Sequence, residues 1–381
     1  MIPKIETIPL QTLASGDRLS LQIYKFVGAH PGKKAYIQAN LHGAELAGNA
    51  VAYELMQALS ALEPTQLAGE IWLVPVCNPI GVNGRSHHFS SGRYNPYDGY
   101  DWNRIFWDYE MEVGEILAFA KARLHHPPAE IQHAFRHQIQ TAFAALETEI
   151  TGDMGAPFRE KYRYLLQSFA IDADYVIDLH TSSDLGVPYV YFFRDRQASA
   201  LLFQLELGIL LDQYDGNAFD ESFIKPWLAL ESAYATLGCP LRFEVEAWTF
   251  EIGSAMQLNA EAIAQARQGI WNYFTAKQMI RQSGCEQSGH KLPSHPMRLI
   301  SREQMHRYYA PTGGFVQSRL QLGDRVQPQQ VIYQLLVFNK DGEMPQVVEV
   351  RSQHSGFVFD TSINHSVNEG EYVLGIVEDD R

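Results

Sequence analysis

Apolar positions recur along this chain with two different periods. Residues 35–41, AYIQANL, form a short apolar run that predicts a strand. The stretch after it sets Val51, Leu55 and Leu59 four apart, the spacing of one helix face. IWLVPV at 71–76 is an apolar run ended by Cys-Asn-Pro and predicts a buried strand. ADYVIDL at 173–179 and VPYVYFF at 187–193 have the same character. LRFEVEAW at 241–248 alternates as a strand does, and 259–281 has a helical pattern. Strands interleaved with helices over most of the chain predict an α/β sheet covered on both faces.

Two segments depart from that rhythm. From 105 to 165 the chain is polar and helical in pattern; PPAEIQHAFRHQIQTAF opens with prolines and repeats Ile131, Phe135 and Ile139 at a spacing of four. This predicts a helical insertion packed on the main sheet, with a dimer contact or a lid as its other roles. At 284–296, GCEQSGHKLPSHP reads as a linker. Beyond it, short β-like runs are broken by GGF, LGD, DGE, HSG and NEGE, and VIYQLLVF and QVVEV flank the turn NKDGEM. The expected organisation is therefore a large domain over 1–295 and a small all-β domain over 296–381.

Composition narrows the partners. Of 381 residues, 46% are hydrophobic and 19% charged, a foldable balance. The formal charge is −14, and no Lys/Arg-rich block occurs, which argues against a nucleic-acid groove or an anionic membrane surface. No apolar run approaches the roughly 18 residues that span a bilayer. The opening MIPKIETIPLQ lacks the apolar core of a secretory signal. Cys77, Cys239 and Cys285 do not form a disulfide framework. A cytoplasmic protein is expected.

Chemistry concentrates at strand ends. In QANLHGAELAG, His42 stands three residues before Glu45, where a strand meets a helix. In VIDLHTSS, His180 follows an apolar strand directly. A hydrolytic zinc site needs three protein ligands and one open position, and α/β folds place their sites at the carboxyl ends of strands. His42, Glu45 and His180 meet both conditions. His133 and His137 have helical spacing but lack the glutamate that follows the first histidine of a zincin. The loop NPIGVNGRSHHFSSGRYNPYDGYDWNR, 78–104, carries Arg85, Arg93 and Arg104 among turn formers. An arginine there can clamp a substrate carboxylate or face a developing oxyanion.

The order HGAE, R-x-x-P-x-D-G-x-x-x-NR, DLHT and TFEIG resembles the succinylglutamate desuccinylase/aspartoacylase family, a branch of the zinc carboxypeptidase-like hydrolases. The resemblance implies a mixed central sheet flanked by helices, one zinc ion per chain on His42, Glu45 and His180, and a carbonyl-polarising Arg93. It also implies a carboxylate-binding Asn103–Arg104 pair, Asp101 as the group that orients the first histidine, and Glu251 as the general base. Glu244 and Glu246 compete for that last role, but pleat alternation sets them on one face with Arg242, where an ion pair is the expected use. The C-terminal segment is similar to a lipoyl/biotinyl-like β-barrel, expected to wall the active-site mouth or to serve as a contact in a homo-oligomer.

Three features depart from the family pattern. The loop from Asn78 to Arg93 is longer, which leaves Arg85 open for substrate binding or for Arg93's role. Trp102 and Trp107 replace smaller residues, and with Tyr100 they are candidates for an apolar acyl pocket. The 105–165 segment is also longer than usual. The expected activity is a zinc-dependent deacylase that cleaves the amide of a small-molecule N-acyl amino acid or related carboxylated amide. The alternatives are a zinc carboxypeptidase on short peptides and a non-catalytic zinc- or ligand-binding protein.

Overall fold

The structure, a computed structural model, describes residues 1–85, 91–152, 154–281 and 297–379. The expected linker at 284–296, the junction at 295/296, His87, His88 and Cys285 lie outside the described residues. Ten strands precede the C-terminal β unit: β1 Lys4–Thr12, β2 Arg18–Val27, β3 His30–Ala39, β4 Ala68–Val74, β5 Tyr175–Ser182, β6 Leu185–Gly186, β7 Tyr189–Phe192, β8 Leu207–Leu210, β9 Glu246–Ser254 and β10 Arg298–Ser301. All but β6 form a nine-stranded sheet in the order β1-β2-β4-β3-β5-β9-β7-β8-β10. Its centre, β4-β3-β5-β9, is parallel, and β7 joins β9 antiparallel.

The helices are α1 Ala47–Ser60, α2 Pro79–Asn83, α3 Tyr109–Glu112, α4 Ile116–Lys121, α5 Pro128–Thr151, α6 Phe158–Ala170, α7 Gln197–Ala200, α8 Phe219–Thr236 and α9 Ala260–Ala276. Successive strand residues point to opposite faces. Ile37, Ile177, Leu179, Trp248 and Phe250 therefore join Val51 and Leu55 of α1 and Ile263 and Ile270 of α9 in one core. Tyr36, Val176 and Ala247 face the other way, onto Tyr162 and Leu166 of α6 and Ile224 and Leu228 of α8. Full burial of one such aliphatic side chain contributes roughly 1.5–3 kcal/mol, so the α1 repeat Val51–Leu55–Leu59 anchors that helix. Among the described residues no helix is long and apolar enough to cross a membrane.

The 105–165 segment is helical, as its spacing predicts. α6 lies on β1 and β3, and α5 packs on α3 and α6. Ile131, Phe135 and Ile139 are buried, with Phe135 edge-on to Tyr109 at 5.7 Å and to Trp227 at 5.2 Å. The segment thickens the helical layer on one face of the sheet.

The strand expected at 241–248 is displaced: β9 begins only at Glu246. Residues before it find other partners. The Phe243 N–H donates to Glu231 Oε1 at 2.9 Å, and Arg196 Nη2 donates to the Val245 carbonyl at 3.2 Å. Arg196 and Glu231 form a buried two-pronged ion pair, both bonds 2.7 Å. These side chains satisfy a backbone that would otherwise need a ladder.

The C-terminal β unit comprises β11 Met305–Tyr309, β12 Gly314–Arg319, β13 Arg325–Val326, β14 Val331–Val337, β15 Gln346–Arg351, β16 Gly356–Thr361, β17 Ser366–Val367 and β18 Tyr372–Glu378. They form two antiparallel sheets, β11-β18-β16-β13 and β15-β14-β12-β17, around a small core that includes Val316, Leu335 and Leu374. Strand β6 stands outside the large sheet and pairs with β16 through Asp360–Gly186 and Thr361–Leu185. The β unit is thus stitched to the loop that follows His180.

Candidate metal centre and active site

The HGAE turn is built by close contacts. After β3 the chain reverses at Asn40, which has φ 65°, a left-handed conformation that asparagine tolerates. The Asn40 side chain donates to the Glu45 carbonyl at 2.9 Å and accepts from Asn49. A Cβ on Gly43 would sit 2.0 Å from the Gly81 backbone, so only glycine lets Gly81 pack on the turn. A Cβ on Gly48 would meet Ala39 and Leu179 side chains at 2.9 Å, so glycine also lets α1 approach β3 and β5.

His42, Glu45 and His180 converge. His42 Nδ1 lies 2.9 Å from Glu45 Oε1, and His180 Nδ1 lies 2.7 Å from Glu45 Oε2. All three residues are buried. Behind them, His42 Nε2 is 3.0 Å from Asp101 Oδ1, and His180 Nε2 is 3.0 Å from Asp178 Oδ2. Asp101 faces Nε2 of His42 and Asp178 faces Nε2 of His180, so each Nδ1 points at a Glu45 oxygen. A ring nitrogen and a carboxylate oxygen at that distance need positive charge between them, as a proton or a metal ion. Burial disfavours the His180 imidazolium, but Asp178 and Glu45 outweigh it and hold His180 well above its ordinary range. Burial likewise works against the Glu45 anion, and His42 and His180 hold it well below. Two imidazole nitrogens and a carboxylate with carboxylate-backed rings fit a divalent metal.

The loop arginine is aimed by the same aspartate. Asp101 Oδ2 accepts from Arg93 Nε at 2.9 Å, while Oδ1 accepts from the Asn103 N–H at 2.8 Å. Burial raises the Asp101 carboxyl, but His42 first, then Arg93, hold it well below the usual range. Asn103 is buried, its Oδ1 accepting from the Phe219 N–H at 2.9 Å and its Nδ2 3.5 Å from His180 Nε2. Arg104 Nη1 donates to the Asn103 carbonyl at 2.5 Å.

Glu251 lies beside His180 as its register partner on β9. Its Oε2 is closed to solvent and has no hydrogen-bond partner. Burial pushes its carboxyl up to about 8, with His180 and Arg93 pulling the other way. Glu246 has a different environment. It is fully buried, pairs with Arg242 at 2.6 Å and Lys277 at 2.9 Å, and accepts from Tyr273 at 2.7 Å.

A cavity of about 690 Å³ opens onto His42, Glu45, His180, Arg93, Arg104 and Glu251, with Asn103 in its wall. The C-terminal β unit closes one side with Arg307, Tyr309, Asp360 and Tyr372. Asp360 is fixed there by Ser182 Oγ at 2.6 Å and Tyr372 Oη at 2.7 Å. Arg85 is not among the lining residues. It is exposed, and its Nη1 caps the end of α2 by donating to the Val82 and Gly84 carbonyls, both at 2.7 Å.

The aromatic candidates also lie elsewhere. Trp102 is packed edge-on to Tyr162 at 5.0 Å, Trp107 packs on Phe143 at 5.6 Å, and Tyr100 stacks under Arg159. The two tryptophans are core residues of the helical layer and do not line the cavity at His42, Glu45 and His180. Asp178 was not singled out by sequence, although its signal was present: two residues before His180 on a strand means the same face. Arg307, Asp360 and Tyr372 carry no local signal, since only the docking of the β unit brings them here.

Comparison with known proteins identifies the family. The family model for the succinylglutamate desuccinylase/aspartoacylase catalytic domain matches residues 31–276. A protein assigned to that family from Shewanella amazonensis SB2B superposes with TM-score 0.83 at 28% identity, over 98% of each chain. One from Shewanella frigidimarina NCIMB 400 gives 0.85 at 24% identity, over 99% of this chain and 97% of that one. The product-bound ectoine utilization protein EutE (DoeB) of Ruegeria pomeroyi shares the fold, with TM-score 0.63 at 14% identity over 100% of this chain and 96% of that one. No curated protein matches the sequence. The chain belongs to the succinylglutamate desuccinylase/aspartoacylase family of deacylases.

Proposed function

We propose that this family member is a zinc-dependent deacylase that hydrolyses the amide of an N-acyl amino acid or related carboxylated amide. One observation carries the reading: a buried His42–Glu45–His180 set opens into the same cavity as an unpartnered Glu251 carboxylate oxygen and the loop arginines Arg93 and Arg104. Bound at His42, Glu45 and His180, zinc supplies Lewis acidity to the carbonyl and to water.

The chain's own groups do the rest. Glu251 takes a proton from the attacking water and returns it to the departing nitrogen, so the C–N bond breaks to a carboxylic acid and an amine. Against burial, which raises its pKa, His180 and Arg93 pull it toward the ionised form that a base requires. Arg93, braced by Asp101, meets the oxyanion that grows on the carbonyl oxygen. Arg104, with Asn103, holds the substrate carboxylate and positions the amide. Asp101 and Asp178 fix the imidazoles. In this reading residues 1–295 carry the hydrolytic groups, and the barrel of 296–381 walls the substrate space.

The test is a substrate panel on zinc-loaded protein. N-acyl amino acids should turn over, and their amides, which lack the free carboxylate, should not. Equal rates on both would remove Arg104 as a clamp. Faster cleavage of dipeptides than of any N-acyl amino acid would make the protein a carboxypeptidase.

A further inference from the structure

The C-terminal β unit holds a second set of ligand side chains that do not line the cavity, although Met305 and Arg307 on either side of His306 do. His306 lies on β11, Glu378 ends β18, and His354 sits in the turn between β15 and β16. His306 Nε2 is 2.8 Å from Glu378 Oε2, and His354 Nδ1 is 3.4 Å from the same oxygen. The two imidazoles stack with centroids 3.5 Å apart and planes 5° from parallel. One ligand atom from each residue lies within 4.8 Å of the others. The side chains are 23, 20 and 29% exposed for His306, Glu378 and His354, so an ion can reach them from solvent.

This arrangement suits one divalent ion better than protons. Two imidazoliums face to face repel, and one carboxylate balances only one of them. A single ion that takes a lone pair from each ring and one from Glu378 relieves both problems. The ring torsions are soft, so the parallel rings can turn toward a common centre. The supporting contacts are already made. The Ser352 hydroxyl donates to the His354 carbonyl at 2.7 Å and accepts from its N–H at 3.1 Å. Arg298 of β10 donates to the Glu378 carbonyl at 3.1 Å and pairs with Asp379 at 3.3 Å. Two imidazoles and a carboxylate select zinc-like transition ions over magnesium or calcium.

We propose that His306, His354 and Glu378 form a second metal site, taking a divalent transition ion such as zinc, that ties β11 and β18 to the turn before β16. The test counts zinc on the full-length chain. Wild type should hold two equivalents and His354→Gln one, with the hydrolytic rate unchanged. In a His42→Ala background one equivalent should remain, and adding His354→Gln should remove it. Zinc should raise the Tm of the first of these variants and not of the second. His306→Gln repeats the measurement if His354→Gln fails to fold. Equal zinc content with and without these substitutions, in chains of native circular dichroism, overturns the site, as does binding only at millimolar zinc. Failure of the catalytic reading has a separate signature, because His42→Ala would then bind as much zinc as wild type.

Discussion

His180 and Glu251 are register partners on two parallel strands, β5 and β9, with Asp178 opposite Thr249 one pleat earlier. Backbone hydrogen bonds thus fix the spacing between the candidate metal ligand and the candidate base. The pleat sends Asp178, His180, Thr249 and Glu251 to one face, toward α8, while Leu179 and Phe250 fill the opposite core.

Glu251→Gln should keep the metal and lose the chemistry. Zinc content by elemental analysis should match wild type, while kcat falls by about 10²–10⁴, the contribution of a positioned base. A variant with near-normal kcat would transfer the role to another group.

Asp178→Asn should act on the metal. With His180 no longer held by a carboxylate, zinc affinity measured by chelator competition should fall by about 10–100-fold. Unchanged affinity would mean that the 3.0 Å contact to His180 Nε2 does not set the ring.

Arg93→Ala and Arg104→Ala should fail differently. Loss of an oxyanion donor lowers kcat, by about 10²–10³, with little change in KM. Loss of a carboxylate clamp raises KM and erases the preference for carboxylated substrates. The opposite pattern in steady-state kinetics would exchange the two roles.

Glu246→Gln should cost stability and spare activity. Burial raises this carboxyl, but Lys277, Tyr273 and Ser199 hold it below its ordinary 4.5. A depressed folded-state pKa adds stability above the ordinary value, and that stability is lost as pH falls through the lower one. Urea unfolding should therefore show a gap between wild type and variant that is full at pH 7 and closes on acidification below about 4.5. A gap that stays constant into that range would separate Glu246 from the ion pairs described.

Much of the site is legible because its signals are local. His42 and Glu45 share one turn, Val51, Leu55 and Leu59 mark the helix behind it, and His180 ends an apolar strand. The Arg93–Asp101–Asn103–Arg104 cluster lies within twelve residues of one loop. Other elements gave a weak or misleading signal. Strand β1 has no fully buried residue, so little burial marks it at the sheet edge, whereas Leu19, Leu21 and Ile23 alternate along β2, a signal present in the sequence and not singled out. The alternation at 241–245 is real, but Arg196 and Glu231 claim that backbone.

By itself, then, the sequence pointed to the candidate ligand trio and the layered α/β plan through strand-end position and periodicity, and to the candidate base through resemblance to the family. Only the tertiary structure decided the rest: Arg85 outside the cavity, Trp102 and Trp107 in the core, Asp178 behind His180, and Asp360 and Tyr372 in the cavity wall. Those outcomes depend on which distant surfaces exclude water from one another, such as β6 against β16, and no local pattern encodes that choice.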